Sequence, residues 1–197
     1  MWVIDGNVLD YGFAELTVFF DLSPWFFLFF VPALSMNSFS EEIDRGTFQL
    51  LRSLPVTINY ILWAKMGALV FIILTTLLPS VIFIQTIAVL GLPPNNYDSS
   101  LIVGGFIALF LLNLCFTALG LLASSLSKKQ PVTFILGLVL NFIFWKGAQE
   151  LGIDGLDISS HYFRMSMGVL SFSDLLFFTG FITLLLGLIR VRLRLLI

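Results

Sequence analysis

The sequence predicts an all-α integral membrane protein whose five transmembrane helices are joined by short polar connections. Three observations support this fold class. Of the 197 residues, 58% are hydrophobic and only 11% are charged, whereas soluble domains carry about 25% charged residues. The mean hydropathy is +1.02, and the 22 phenylalanines are more than one globular core of this size could hide. Long stretches without any charge recur along the chain, so lipid is the solvent that most of these side chains need.

Five stretches are long and apolar enough to cross a bilayer as helices, which requires about 20 residues each. They are predicted at 22–40, 66–90, 101–127, 130–149 and 169–189. The fourth reaches this length only if Lys146 lies at the interface, and the last only if Asp174 does. Helix is the required form because a lone strand would leave backbone groups unpaired in hydrocarbon, and a β-barrel would need alternating apolar and polar residues.

The basic residues predict the orientation of these helices. Alternate connections divide the lysines and arginines eight to two. The eight are Arg45, Arg52, Lys65, Lys128, Lys129, Arg190, Arg192 and Arg194, and the two are Lys146 and Arg164. Cytoplasmic loops carry the excess of Lys and Arg, so residues 41–65 and the tail 190–197 are expected in the cytoplasm and residues 1–21 outside it. The outside segment is acidic and lacks a signal-peptide pattern, for which a missing upstream helix is the simplest explanation.

Several functions are disfavoured by what the sequence contains. The net charge of −2 offers no basic excess for nucleic acid. Cys115 is the single cysteine, so an intrachain disulfide or a cysteine metal cluster cannot form. A lone His161 has too few companions for a metal site or a catalytic triad and is interpreted as structural. The chain has no G-x-x-x-x-G-K-[ST] phosphate loop, so ATP is expected on another subunit.

One polar segment, residues 38–55, has an amphipathic pattern. Thr47 is expected to cap a short helix, and Pro55 is expected to end it. The helix would present an apolar stripe formed by Phe48, Leu50, Leu51 and Leu54, with Gln49, Arg52 and Ser53 facing away. The acidic pair Glu41 and Glu42 and a flexible Gly46 precede it. From the residues alone, an interfacial helix with a solvated acidic pair is favoured over a docking element for a cytoplasmic protein.

The same segment resembles a known family. Its residues Phe39-Ser40-Glu41-Glu42, Gly46-Thr47, Leu50-Leu51 and Pro55-Val56 resemble the E-E-x-x-x-G-T-x-E-x-L-L-x-x-x-P signature of type-2 ABC exporter permeases. The stretch Leu22-Ser23-Pro24-Trp25-Phe26 through Pro32-Ala33 and Met36 is similar, more narrowly, to the gliding-motility-associated permease subunit (GldF-like) of Bacteroidetes. Further matches are Leu119-Gly120-Leu121, Ala123-Ser124-Ser125-Leu126, His161-Tyr162, Gly168-Val169 and Asp174. The resemblance extends from about Asn7 to Arg190.

The resemblance implies an inner-membrane permease subunit without chemistry of its own. Family members have six membrane helices, of which this chain supplies five and lacks the first. Two permease subunits, identical or different, pair above two ABC ATPase subunits that bind ATP and Mg. The residues that would couple to the ATPase are Glu41, Glu42, Gly46, Thr47, Phe48, Leu50, Leu51, Arg52 and Pro55. Gln49 replaces a glutamate that is usual in the family, and Asn37 and Met167 stand where basic residues are common.

Polar residues inside the predicted spans are candidates for the translocation path. They are Gln85, Asn113, Thr117 and Asn141. Amides in lipid favour the bundle interior, and hydrogen bonds between helices are the simpler interpretation of these residues. None of them is ionisable, which disfavours an ion-coupled transporter. Gly120 and Ser124 form a small-xxx-small pair that could permit close helix packing.

Export or gliding motility coupled to ATP hydrolysis is therefore the leading interpretation, with the cargo unidentified. The alternative is a membrane scaffold that anchors a motility or secretion complex without moving a substrate. An integral-membrane enzyme is disfavoured because no nucleophile, carboxylate pair or metal cluster is visible in the sequence.

Overall fold

The computed structural model of the chain describes residues 16–48, 55–82, 84, 99–147, 150 and 157–195, and their regular structure is helical. In chain order the helices are α1 (Thr17–Ser35), α2 (Asn37–Asp44), α3 (Ile58–Leu77), α4 (Ser99–Leu126), α5 (Gln130–Phe142), α6 (Ile158–Ser166) and α7 (Phe172–Leu195). A 3-10 turn at Leu78–Ser80 extends α3, and a π turn at Ile143–Gly147 extends α5.

Five helical stretches in these residues are long and apolar enough to cross a bilayer, which confirms the predicted fold class. They are Thr17–Asp44, Ile58–Ser80, Ser99–Leu126, Gln130–Gly147 and Phe172–Leu195. The first stretch contains both α1 and α2, which are separated only by a break at Met36.

The helix bounds differ from the uncharged stretches of the sequence. α1 begins at Thr17, inside the segment predicted to lie outside the membrane, and α3 begins at Ile58 rather than at residue 66. α7 begins at Phe172 and continues past residue 189 to Leu195. Charged residues near the helix ends are themselves part of the helices. A prediction from the uncharged stretches between charged residues therefore finds only the apolar middle of each helix. The predicted positions 85–90 and 148–149 lie outside the described residues.

α4 is the central helix of the bundle. Within its most apolar window 67% is buried inside the chain, against 39% or less for the other four spans. α1, α5, α6 and α7 all pack on it. Its fully buried residues Leu112, Phe116 and Leu119 form the largest hydrophobic cluster together with Phe27 of α1 and Phe178 of α7. In lipid such contacts stabilise through packing rather than through removal from water.

Gly120 lets α1 approach α4 to contact distance. A Cβ atom at this position would overlap the hydroxyl group of Ser35 in α1. One turn later, Ser124 bonds to the backbone just beyond α1. The small-xxx-small pair in the sequence is therefore a real close contact between two helices.

α2, the start of α3 and the last turns of α4 and α7 meet at one end of the bundle. A hydrophobic cluster joins these elements through Phe39, Phe48, Leu62, Leu121 and Ile189. We call this the basic end, because Lys65 and Arg190 lie in α3 and α7 and Arg45 directly follows α2.

α6 closes the opposite end of the bundle by contacts with the first turns of α1 and α4. Pro24 has no N–H group, so the carbonyl group of Phe20 four residues earlier has no partner within α1. The hydroxyl group of Tyr162 in α6 donates to that carbonyl oxygen at 2.7 Å. Burial raises the pKa of the Tyr162 hydroxyl group, and the negative charge of Asp21 raises this pKa further. The hydroxyl group therefore stays protonated and remains a hydrogen-bond donor. The proline in α1 thus creates the attachment point for α6.

We expect Tyr162→Phe to lower the free energy of unfolding by about 1–2 kcal/mol, because it leaves the carbonyl group of Phe20 buried and unpaired. Tyr60→Phe is the matched control, since Tyr60 is 68% exposed. Unfolding by SDS titration of the protein in mixed micelles measures both. Equal stability of the two variants would show that the Tyr162 bond is not an anchor for α6.

Candidate functional site

The residues predicted to couple the chain to an ATPase lie at the basic end. α2 carries Glu41 and Glu42 and ends at Asp44. Gly46 follows with a φ of 70°, a left-handed conformation that glycine adopts without strain. Thr47 and Phe48 are helical again.

We refer to the described part of this stretch, residues 37–48, as the coupling segment. Of the other predicted coupling residues, Leu50, Leu51 and Arg52 lie outside the described residues. Pro55 is described but belongs to no helix.

The coupling segment folds back against the chain itself. Phe48 is 6% exposed and lies in the basic-end cluster. Its ring packs edge-on against that of Phe39 in α2, with 6.5 Å between the ring centroids. An interfacial helix resting on the bilayer would turn its apolar stripe to lipid, whereas the first residue of this stripe is buried in protein.

The capping bond predicted for Thr47 would come from the backbone N–H groups at positions 49 and 50, which lie outside the described residues. Thr47 is helical, and Gly46 precedes it as the turn residue. The Thr47 hydroxyl group donates to the carbonyl oxygen of Glu42 at 3.4 Å, so its side chain contacts α2.

The acidic pair is not simply solvated, as the interfacial interpretation had it. Glu41 forms an ion pair with Arg45 one turn later at 2.8 Å, and the Arg45 side chain is 69% exposed. Glu42 forms an ion pair with Lys65 of α3 at 2.5 Å, where the two side chains are 28% and 19% exposed. The first pair stays within the segment, while the second joins the segment to a spanning helix.

Lys65 is the anchor of the coupling segment on α3. Besides Glu42, its ammonium group donates to the carbonyl oxygen of Ser38. It also lies 4.9 Å from the centre of the Phe39 ring, a cation–π contact. Three groups of α2 therefore converge on one lysine.

Ser124 is the anchor on α4. Met36, which precedes α2, has no side-chain group suited to capping, and α2 has no cap from its own chain neighbour. The Ser124 Oγ atom accepts the backbone N–H groups of Phe39 at 2.8 Å and of Ser40 at 3.1 Å. Its hydroxyl group also donates to the carbonyl oxygen of Met36 at 3.1 Å. The cap of α2 thus comes from a helix more than eighty positions away in the sequence.

Neither anchor was among the predicted coupling residues. Lys65 entered the sequence analysis only through the count of positive charges, although a lysine inside an apolar helix needs a partner. Ser124 stands in an apolar run, where a serine ordinarily bonds to its own helix. Their partners are distant in sequence, so the pattern of the chain alone does not reveal them.

A cleft of about 380 Å³ opens between the coupling segment and α3. Its lining is mostly polar and consists of Leu34, Asn37, Ser38, Glu41, Glu42, Arg45, Thr47 and Lys65. The second carboxylate oxygen of Glu42, Oε2, has no hydrogen-bond partner among the described residues.

The candidate path residues lie inside the bundle. Asn113, Thr117 and Asn141 are fully buried, and Gln85 is outside the described residues. Asn113 donates to the carbonyl oxygen of Leu109 at 2.8 Å, and Thr117 donates to that of Asn113 at 2.7 Å, so both bonds stay within α4. Both polar side-chain atoms of Asn141 lack a partner in the described part of the chain. Hydrogen bonds between helices therefore do not account for the Asn141 amide.

His161 has a structural environment at the end opposite the coupling segment. Its Nδ1 atom lies 2.6 Å from Oδ1 of Asp174, and Arg164 donates to the same oxygen at 2.7 Å. The imidazole ring stacks on Phe177 at 4.0 Å. These contacts join α6 to α7. Across the described residues, no three His, Cys, Asp or Glu side chains converge to hold a metal ion.

Glu42→Gln removes the negative charge that pairs with Lys65. Glu41→Gln removes only the charge that pairs with the exposed Arg45 side chain. We expect the first variant to destabilise residues 37–44 by about 1 kcal/mol and the second by less than about 0.5 kcal/mol. Hydrogen exchange of these amides in the detergent-solubilised protein measures the difference. Equal exchange in the two variants would contradict the anchoring role of Lys65.

Comparison with models of protein families identifies the family to which the chain is similar. Residues 17–159 match the model of the ABC-2 family transporter proteins, which covers α1 to α5 and the coupling segment. Comparison with curated proteins and with solved structures gives no match. The chain belongs to the ABC-2 family, the membrane components of ABC transporters.

Proposed function

We propose that this permease subunit is driven by a separate ABC ATPase that docks at the basic end against the coupling segment. The observation that carries the proposal is the double anchoring of α2, to α3 through Lys65 and to α4 through Ser124. A segment held only by lipid could yield to a push without moving the bundle. A segment bonded to two spanning helices transmits the displacement to both.

ATP and Mg would be bound by the partner ATPase, and this chain would contribute movement only. Closure of the ATPases would displace the coupling segment, and α3 and α4 would follow because they are bonded to it. The basic end would face the cytoplasm, which agrees with the enrichment of Lys and Arg in cytoplasmic connections. A second permease subunit, identical or different, would complete the assembly.

Asn113, Thr117 and Asn141 are the residues we propose for the polar interior of the translocation path. Among the described residues, the buried Asn141 amide and Oδ1 of Asn113 lack partners, and an unpaired buried polar group is unfavourable by roughly 1–3 kcal/mol. A shift of α5 relative to α4 would offer these atoms new partners, either from the other helix or from a polar substrate.

We further propose that the subunit belongs to the gliding-motility branch of these exporters in the inner membrane of Bacteroidetes. The support is the sequence similarity of residues 22–36 to that branch. Trp25 and Phe26 of this stretch are 43% and 58% exposed on α1. They do not build the core of this chain, so they are available to lipid or to a partner subunit.

Gly46→Pro tests the coupling role. Proline fixes φ near −65°, which is incompatible with the φ of 70° at this turn, so the coupling segment cannot fold back. We expect the permease-dependent stimulation of ATP hydrolysis to fall about tenfold or more. Gly46→Asn is the matched control, because asparagine tolerates the left-handed conformation.

Leu51→Asp places a charge in the predicted apolar stripe and is expected to abolish the same stimulation. Gln49→Glu is its control, since the sequence pattern predicts that Gln49 faces away from the stripe and glutamate is usual there in the family. Unchanged stimulation in both Gly46→Pro and Leu51→Asp would contradict the proposed coupling. Intact assembly with ATP hydrolysis that drives no flux in proteoliposomes would favour the scaffold interpretation.

A further inference from the structure

We infer that Ser124 is the positioning residue that passes movement of the coupling segment to the central helix. This inference rests on the proposed function, and it assigns a role to a residue outside the coupling motif. At Met36 the helical chain divides into α1 and α2.

A helix that begins after a break has backbone N–H groups without intrahelical partners. For α2 two of these groups, those of Phe39 and Ser40, point at the hydroxyl oxygen of Ser124. Phe39, Ser40 and Ser124 are all fully buried, so water does not replace the bonds. The orientation of α2 is thereby determined by the position of Ser124.

The connection through Ser124 is short and closely packed. A serine side chain has one rotatable bond to its oxygen, whereas the Lys65 side chain spans four methylene groups and is more flexible. Gly120, one turn before Ser124, leaves no space between α4 and Ser35 of α1. A displacement of α2 therefore acts more directly on α4 than on α3.

α4 carries the displacement to the other end of the bundle. It is the most deeply buried span, and its first turns contact the turn that follows α6. A Cβ atom at Gly104 would lie 2.6 Å from the carbonyl oxygen of Met165, so these two backbones are in direct contact. Met167, next to that contact, is 70% exposed and can report movement there.

The chain provides a matched control in the adjacent residue. Ser125 is also buried, at 1% exposure, but its hydroxyl group donates to the carbonyl oxygen of Leu122 in its own helix at 2.7 Å. Ser124→Ala and Ser125→Ala therefore remove the same atom from neighbouring positions. Only the first removes bonds between helices.

The first measurement is hydrogen exchange of the complete transporter without nucleotide. Ser124→Ala is expected to speed exchange of the Phe39 and Ser40 amides by between about 2-fold and 30-fold, the range that a lost helix cap corresponds to. Ser125→Ala should leave both amides unchanged. Equal exchange in the two variants would overturn the inference, whatever the ATPase does.

The second measurement follows spin labels attached through Asp44→Cys at the coupling segment or Met167→Cys at the other end. Cys115 is fully buried and does not compete for the label. The permease–ATPase complex is studied in nanodiscs. ATP with vanadate is expected to change the EPR spectra of both labels in the otherwise unsubstituted chain and in Ser125→Ala. In Ser124→Ala the Asp44 label should still respond, while the equilibrium constant for the response of the Met167 label falls by about 2-fold to 30-fold, the range that a lost helix cap corresponds to.

The outcomes separate the two claims. If the Asp44 label does not respond in the otherwise unsubstituted chain, the proposed docking fails and the role of Ser124 in it fails too. If it responds and Ser124→Ala behaves like Ser125→Ala at both labels, the inference alone is overturned. Should Ser124→Ala fail to assemble, Ser124→Cys serves the same test, since a thiol nearly keeps the volume while its hydrogen bonds are weak.

Discussion

Where a helix is interrupted inside a membrane, the backbone polar groups that lose their helical hydrogen bonds must find other partners within the protein. In this chain α1 departs from regular structure at two points, and a side chain from a distant part of the sequence completes the bonding at each. At Pro24 the freed carbonyl group of Phe20 accepts the Tyr162 hydroxyl group. At Met36 the N–H groups that begin α2 donate to Ser124. These two bonds fix where α6 and α2 lie, and so fix both ends of the bundle.

The two ends differ in how they are held. At the basic end one serine and one lysine bind a short helix that is open to a polar cleft. At the opposite end α6 is held by a buried tyrosine and by the contacts of Asp174 with His161 and Arg164. Both short helices touch α4, so in the proposed mechanism this helix would carry movement from the basic end to the other end.

Composition and charge spacing were enough to predict an all-helical membrane bundle with five spans, because long apolar runs have one stable form in lipid. They could not predict the helix ends, since Asp21, Lys65 and Asp174 are charged and still helical. Glu42 and Gly46 of the coupling motif lie at the basic end. Their partners could not be predicted, because a bond between residues more than eighty positions apart depends on how helices pack.

The same dependence on packing applies to two further polar residues. The Thr47 hydroxyl group donates to the carbonyl oxygen of Glu42, while the N–H groups that it was predicted to cap lie outside the described residues. His161 was interpreted as structural, but its partner Asp174 could not be identified because it belongs to the following helix. In both cases the partner in the structure is not apparent from the local pattern of the sequence.

Docking of an ATPase on the coupling segment would bring it next to Asp44, which is exposed on α2. A photo-crosslinking amino acid at position 44 therefore measures the docking, and the same amino acid at Met167, exposed at the opposite end, is the control. We expect a crosslink to the ATPase from position 44 and none from position 167. A crosslink from position 167 alone, or from neither position in an assembled complex, would show that the ATPase does not dock on the coupling segment.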